Sequence, residues 1–267
     1  MIQLVAAEIR KTRRRPFDVV LALVVVGLAM ISPVIVMSRA LRNPGRAAMY
    51  AVQLTWPFSL DRASGVLILI GVVGAAMLAA SAVGNEHDAR TWATLVSRRA
   101  SRYPLLLAKV VVVFATVAMV VVLAMVAASV TSRICLAIVG VAADPVALAR
   151  QTAPSLTLSL AFALADGWWS ALMAIVAAVL LRSTLAAALM GILMPQLFVF
   201  VLSEETAFMN PAAHFMNLRH AAGLLRVPPP YAVGVDAWGS VAVILLYAIA
   251  LVAVTTYWFE TRDVPVS

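Results

Sequence analysis

Charge is scarce in this chain, and the side chains that usually carry chemistry are scarcer still. Only 12% of its 267 residues are Asp, Glu, Lys or Arg, against 64% hydrophobic residues, whereas a soluble domain carries about 25% charged residues. Mean hydropathy is +1.00. That balance excludes a soluble globular enzyme and points to a polytopic membrane protein. The single cysteine, Cys135, cannot form an internal disulfide. Set in an apolar run, it reads as a small buried side chain. The only lysines are Lys11 and Lys109, and Gly-x4-Gly-Lys-[Ser/Thr] does not occur, so this chain does not hydrolyse ATP through a P-loop. A zinc peptidase of the His-Glu-x-x-His type is also missing. His214 and His220 are too far apart to share one helical face as i, i+4 ligands do, and with Glu204 and Glu205 they read as solvated loop residues. His87, His214 and His220 all fall in connections, which removes a serine–histidine nucleophile inside the membrane. No internal repeat is visible.

What is present is a series of apolar runs separated by short polar links. The expected fold is all-α, a single transmembrane domain over residues 1–267 with six spans at about 17–38, 64–84, 110–132, 155–181, 184–203 and 238–259. The first run is too long for a signal h-region and lacks a small-x-small cleavage site, so it reads as an uncleaved span. Before it, residues 2–15 set Leu4, Val5 and Ile9 on one side and Glu8, Lys11 and the arginines largely on the other, the pattern of an interfacial elbow helix. Gly71, Ala75 and Ala79 leave one smooth face on the second span for close helix packing. Arg133 is expected to end the third span, with 134–143 too short to cross again and lying at the far interface or re-entrant. Between spans five and six, Asn210 as a cap and Pro211 at the first helical position start an outer interfacial helix carrying Phe215, Leu218, Ala222 and Leu225 on one face, before Pro228, Pro229 and Pro230.

The net charge of +8 is carried at the helix ends, where basic residues face anionic lipid, so nucleic acid is not an expected partner. With the amino terminus inside, twelve of the 20 Lys and Arg residues fall on the inner side. They are concentrated at Arg10, Lys11, Arg13, Arg14 and Arg15 ahead of span one, where bias decides topology. Both termini are then cytoplasmic. Asp166 is the single acid well inside an apolar run. With Trp168 and Trp169 it forms either part of a translocation path or a capped acid beside aromatic belt anchors near the outer interface. Met190, Met194, Met209 and Met216 read as core.

The one long polar segment between two spans is Gly84 to Lys109. Within it Glu86 precedes Thr91 by five, Arg102 follows Thr91 by eleven, and Lys109 follows Arg102 by seven. This spacing resembles the cytoplasmic segment between the second and third spans of type-2 ATP-binding-cassette exporter permeases, with Arg90 where glycine is usual and Arg99 where proline is usual. The resemblance extends more loosely to the elbow helix, the six spans and the outer helix. It implies a multi-pass protein of the bacterial cytoplasmic membrane, with Glu86, Thr91, Trp92, Leu95, Arg98, Arg99, Arg102 and Lys109 coupling it to a separate ATPase. It also implies two copies of that ATPase, a second permease copy in a homodimer, and ATP with Mg on the partner but no cofactor in this chain. The cargo it implies is amphipathic or lipid-like. The alternatives are an ATP-independent, ion-coupled carrier using Asp166 and a membrane scaffold that transports nothing.

Overall fold

A computed structural model describes residues 2–56, 58–88, 103–143, 156–201, 203, 205–223 and 233–261. Helices make up nearly all of them, and among the described residues there is no strand. In chain order they are α1 Ile2–Arg13, α2 Pro16–Arg42, α3 Ala47–Leu54, α4 Ser59–Val66, α5 Val72–Asp88, α6 Tyr103–Val139, α7 Leu156–Leu181, α8 Thr184–Phe200, α9 Pro211–Ala221 and α10 Ala237–Thr261. A π turn at Leu67–Gly71 joins α4 to α5 without a break in the helix. By length and composition α2, α6, α7 and α10 can each cross a membrane, whereas Val72–Asn85 and Thr184–Val199 are shorter apolar helices.

The helix boundaries follow local chemistry. Pro16 occupies the first turn of α2, where a missing N–H costs nothing and the fixed φ favours helix. Pro33 lies inside that helix, a position tolerated in a membrane helix where neighbouring groups and local adjustments re-satisfy the freed backbone. Between α7 and α8 the chain reverses over Arg182 and Ser183. Arg182 has a φ of 54°, a left-handed conformation that costs a residue with a Cβ roughly 1–2 kcal/mol. The Ser183 side chain then accepts from Ala186 N to cap α8. Asn210 caps α9 by accepting from Ala212 N, with Pro211 next to it, as expected.

The third span departs from expectation. Arg133 does not end it: α6 runs on through Ile134 to Val139, 37 residues in all, so 134–143 is neither re-entrant nor a separate interfacial piece. A lone arginine can extend its stem along the helix while keeping its charge at the polar boundary, and nothing from Ile134 to Val139 breaks a helix. Gly140, at a φ of 65°, stops it in the left-handed conformation that glycine adopts without strain.

The core is built from small residues. Ala75, Ala76, Ala79, Ala80 and Val83 of α5 meet Ala171, Ala174 and Ala178 of α7 and Val113, Val117, Val121 and Ala124 of α6. Lipid gives little hydrophobic drive between helices, so close van der Waals fit does the work. Gly191 of α8 is one of the close approaches. A Cβ there would stand 2.7 Å from Ala174 Cβ, 2.8 Å from Ala76 Cβ and 2.9 Å from Ser170 O.

Helix ends gather in two groups. At the α1 end lie the starts of α2, α6 and α8 and the finishes of α5, α7 and α10. Asn85 accepts from Thr184 Oγ1 at 3.2 Å there, and Glu260 accepts from the Tyr103 backbone N–H at 3.1 Å. At the α9 end, Val36, Leu54 and Cys135 pack together, as do Phe162, Leu218, Ala222 and Ile244.

Candidate functional site

The ends of α5 and α6 bracket residues 89–102, and both are fastened to the amino-terminal helix. Lys109, one turn and a half into α6, is 1% exposed. Its Nζ donates to Glu8 Oε2 of α1 at 3.1 Å and to Ala82 O of α5 at 3.2 Å. A buried ammonium is tolerable only when paired and hydrogen-bonded, and here one side chain joins three helices. Beside it, Arg15 Nη1 donates to Ser81 O at 3.1 Å and stands 4.0 Å from Asp18 Oδ2. Ser81 Oγ donates to Asp18 Oδ1 at 2.8 Å. Glu8, Arg15, Asp18, Ser81 and Lys109 thus form one ionic lock across α1, α2, α5 and α6.

This arrangement corrects the reading of α1. Glu8, Lys11 and Thr12 do not face away from the bundle; with Leu4 and Val5 they form its inward side, while Ile9 is 40% exposed. Lys109 requires the correction, because a buried cation draws the nearest acid inward. Lys11 feels the same crowding. Burial, and then the nearby Lys109 charge, push its pKa from 10.5 down to about 8.

Of the residues expected to contact an ATPase, Lys109 is placed inside this lock. Glu86 lies on the last turns of α5, with its side chain outside the described part. Thr91, Trp92, Leu95, Arg98, Arg99 and Arg102 lie outside the described residues. What the sequence did not reveal is Glu8 as the partner of Lys109, 101 positions away. The one available signal was that an acid stands alone among the basic residues of the amino terminus.

The three residues considered for a translocation path do not share one surface. Trp168 stacks on Phe114 of α6 at 5.5 Å between ring centroids and donates from Nε1 to Phe114 O at 2.9 Å. Trp169 points the other way, against Phe198 and Phe215 at 6.1 and 6.0 Å. Both are packing anchors between helices. Asp166 opens on a small pocket of about 120 Å³ shared with Trp169, Gln196, Phe215 and Arg219. Arg219 of α9 is close enough to act on the Asp166 charge, and its Nε is buried without a hydrogen-bond partner.

At the α9 end, His214 is not a solvated loop residue. It is fully buried in α9, and its Nε2 lies 2.8 Å from Phe208 O, which accepts. Nδ1 then accepts from Ser240 Oγ of α10 at 3.2 Å, and Asn217 Nδ2 donates to that hydroxyl at 2.8 Å. Burial of a histidine requires this full satisfaction. Its place in a connection between two spans hid it. Glu205, by contrast, is exposed as expected. Among the described residues no cluster of His, Cys, Asp or Glu could hold a metal ion.

Comparison with known proteins agrees with the architecture. Residues 4–203 match the sequence profile described as ABC-2 family transporter protein. No curated protein and no solved structure matched. The match takes in the amino-terminal helix, the ionic lock, the bracketed segment and the helices through α8, well over half of the chain. The chain therefore belongs to the ABC-2 family of transporter proteins, and it is a multi-pass membrane permease.

Proposed function

We propose that this permease is the membrane subunit of an exporter driven by a separate ATPase, with residues 89–102 seated in that ATPase and the α1 end facing the cytoplasm. The observation that carries this reading is the ionic lock. Of the two helices that flank 89–102, α6 is tied to α1 through Lys109 to Glu8, and α5 is tied to Lys109 through Ala82 O and to Arg15, at the start of α2, through Ser81 O. A push on the segment is therefore shared at once with the amino-terminal helix and with α2, which is what a two-state rigid-body coupling needs.

In this reading the chain crosses the bilayer six times, along α2, α4 with α5, α6, α7, α8 and α10. Helices α1 and α9 lie at opposite interfaces. Glu86, Thr91, Trp92 and Leu95 form the contact with the ATPase, and Arg98, Arg99 and Arg102 face its acids. Two such permeases assemble with two ATPase subunits, which bind ATP and Mg. Leu185, Leu189, Leu193 and Leu197 of α8 are 71, 49, 51 and 50% exposed and fall one turn apart on a single face, a stripe suited to a second copy. The path between the copies suits an amphipathic or lipid-like cargo.

Copurification tests the proposal. The Arg98→Glu/Arg102→Glu variant should insert into the membrane normally and lose the copurifying ATPase. Retention of the ATPase at the wild-type ratio would overturn the coupling assignment.

A further inference from the structure

An open groove runs along the membrane-facing side of the bundle where α1, α2 and α6 meet. It has a volume of about 360 Å³, and Val19, Leu23, Ala115, Thr116, Met119 and Leu123 are among the residues of its wall. Val19, Leu23, Met119 and Leu123 are 47, 65, 56 and 50% exposed, so none of the described residues covers it. From Val111 to Leu123 the α6 wall rises about 18 Å at roughly 1.5 Å per residue, a little more than half of a hydrocarbon core of about 30 Å. The groove is thus as deep as one leaflet.

Its polar mouth is charged. Arg13 lines it beside Thr12, Arg10 on the same short helix and Arg14 just after it are exposed nearby and line a second cavity with Lys11, and Asp18, the acid at this end, is only 5% exposed and turned toward Ser81 and Arg15. The accessible charge at the mouth is therefore positive, while the wall beyond it is hydrocarbon. An apolar slot one leaflet deep beneath a cationic rim matches the chemistry of an anionic lipid.

We propose that this groove is a specific site for an anionic phospholipid, with one acyl chain along α2 and α6 and the phosphate at Arg13, flanked by Arg10 and Arg14. Basic residues at a membrane surface each add to attraction for anionic headgroups, and the groove converts that general attraction into a defined position by burying an acyl chain beside it. The lipid would stiffen the seat of α1 and so support the ionic lock from its outer side. The inference stands apart from the ATPase reading, since it requires no partner.

The test uses the full-length protein, delipidated in a nonionic detergent. Thermal unfolding midpoints are followed during titration with phosphatidylglycerol, phosphatidylcholine or glycerol phosphate, and retained lipid is counted by mass spectrometry. Phosphatidylglycerol should raise the midpoint in a saturable way and be retained, whereas phosphatidylcholine and glycerol phosphate should do neither. Ala115→Phe places a ring in the slot at an exposed position and should abolish retention. Arg10→Gln/Arg13→Gln/Arg14→Gln alters only the exposed rim and should weaken binding by roughly a hundredfold, given the usual contribution of three surface cations. Equal stabilisation by both lipids overturns the proposal. So does retention by Ala115→Phe with loss in the arginine variant, which would leave only headgroup attraction. A change of oligomeric state in Ala115→Phe overturns it as well, and marks the groove as an interface between copies.

Discussion

The two ends of the bundle are closed by opposite chemistry. At the α1 end, Lys109 pairs with Glu8 across α6 and α1, Arg15 pairs with Asp18 at the start of α2, and hydrogen bonds from Lys109 and Arg15 to Ala82 O and Ser81 O bring these charges onto α5. At the α9 end, Asn217, Ser240, His214 and Phe208 O form a neutral chain of hydrogen bonds between α9, α10 and the loop before α9. A buried ion pair costs much desolvation and holds only while both partners are present. A neutral network loses less per member and tolerates partial loss. The α1 end is therefore the all-or-none closure and the α9 end the graded one. An all-or-none closure is useful where a motion must be passed on whole.

The largest expected effect tests that contrast directly. Lys109→Met removes the buried partner of Glu8, leaving it partly exposed with Lys11 nearby, and should cost about 3 kcal/mol, the low end for a broken buried pair, read from thermal or denaturant unfolding in detergent. The double variant Glu8→Gln/Lys109→Met should recover most of that loss. If the double variant is as unstable as the single, the pair is not one unit and the contrast fails. At the other end, His214→Ala strands Ser240 and Phe208 O and should cost about 2–3 kcal/mol. Asn217→Ala removes a single donor from the chain and should cost about 0.5–1.5 kcal/mol; an effect as large as that of Lys109→Met would show that the α9 end is all-or-none too.

The smallest effect is one of pH. Burial and Lys109 lower the Lys11 pKa from 10.5 to about 8, so between those values the folded protein binds fewer protons than the unfolded chain. Stability should therefore rise with pH across that window. Lys11 is only half-buried, so solvent screening keeps the gain small. Lys11→Met should flatten the rise, measured as the difference in unfolding midpoint between pH 7.5 and about 10; an unchanged slope would assign it to other groups.

Much of this fold was legible because lipid simplifies the code. Apolar runs long enough to cross must be helical, so α2, α7 and α10 were placed to within a few residues, and Asn210 with Pro211 marked the start of α9 by capping chemistry alone. The end of α6 was misread because a charge in an apolar run looks like a boundary, whereas helix continues until something such as Gly140 breaks it. The α1 end was half legible. Its basic cluster and Lys109 stood out, but the pairing of Lys109 with Glu8 joins residues that only the folded bundle brings together. His214 was misplaced for a related reason: in sequence it lies in a connection between two spans, and only the packing of α9 against α10 buries it and supplies its hydrogen bonds.

The length of α6 has one more consequence. Its 37 residues extend about 55 Å at roughly 1.5 Å each, nearly twice the hydrocarbon thickness of about 30 Å. It begins right after the segment proposed to meet the engine and finishes at Gly140, among Val36, Leu54 and Cys135. A tilt of 10° about its midpoint would swing each tip by roughly 5 Å on that length. One stiff rod could thus deliver a stroke made on one side of the bilayer to the far rim, without relay through a chain of side-chain adjustments.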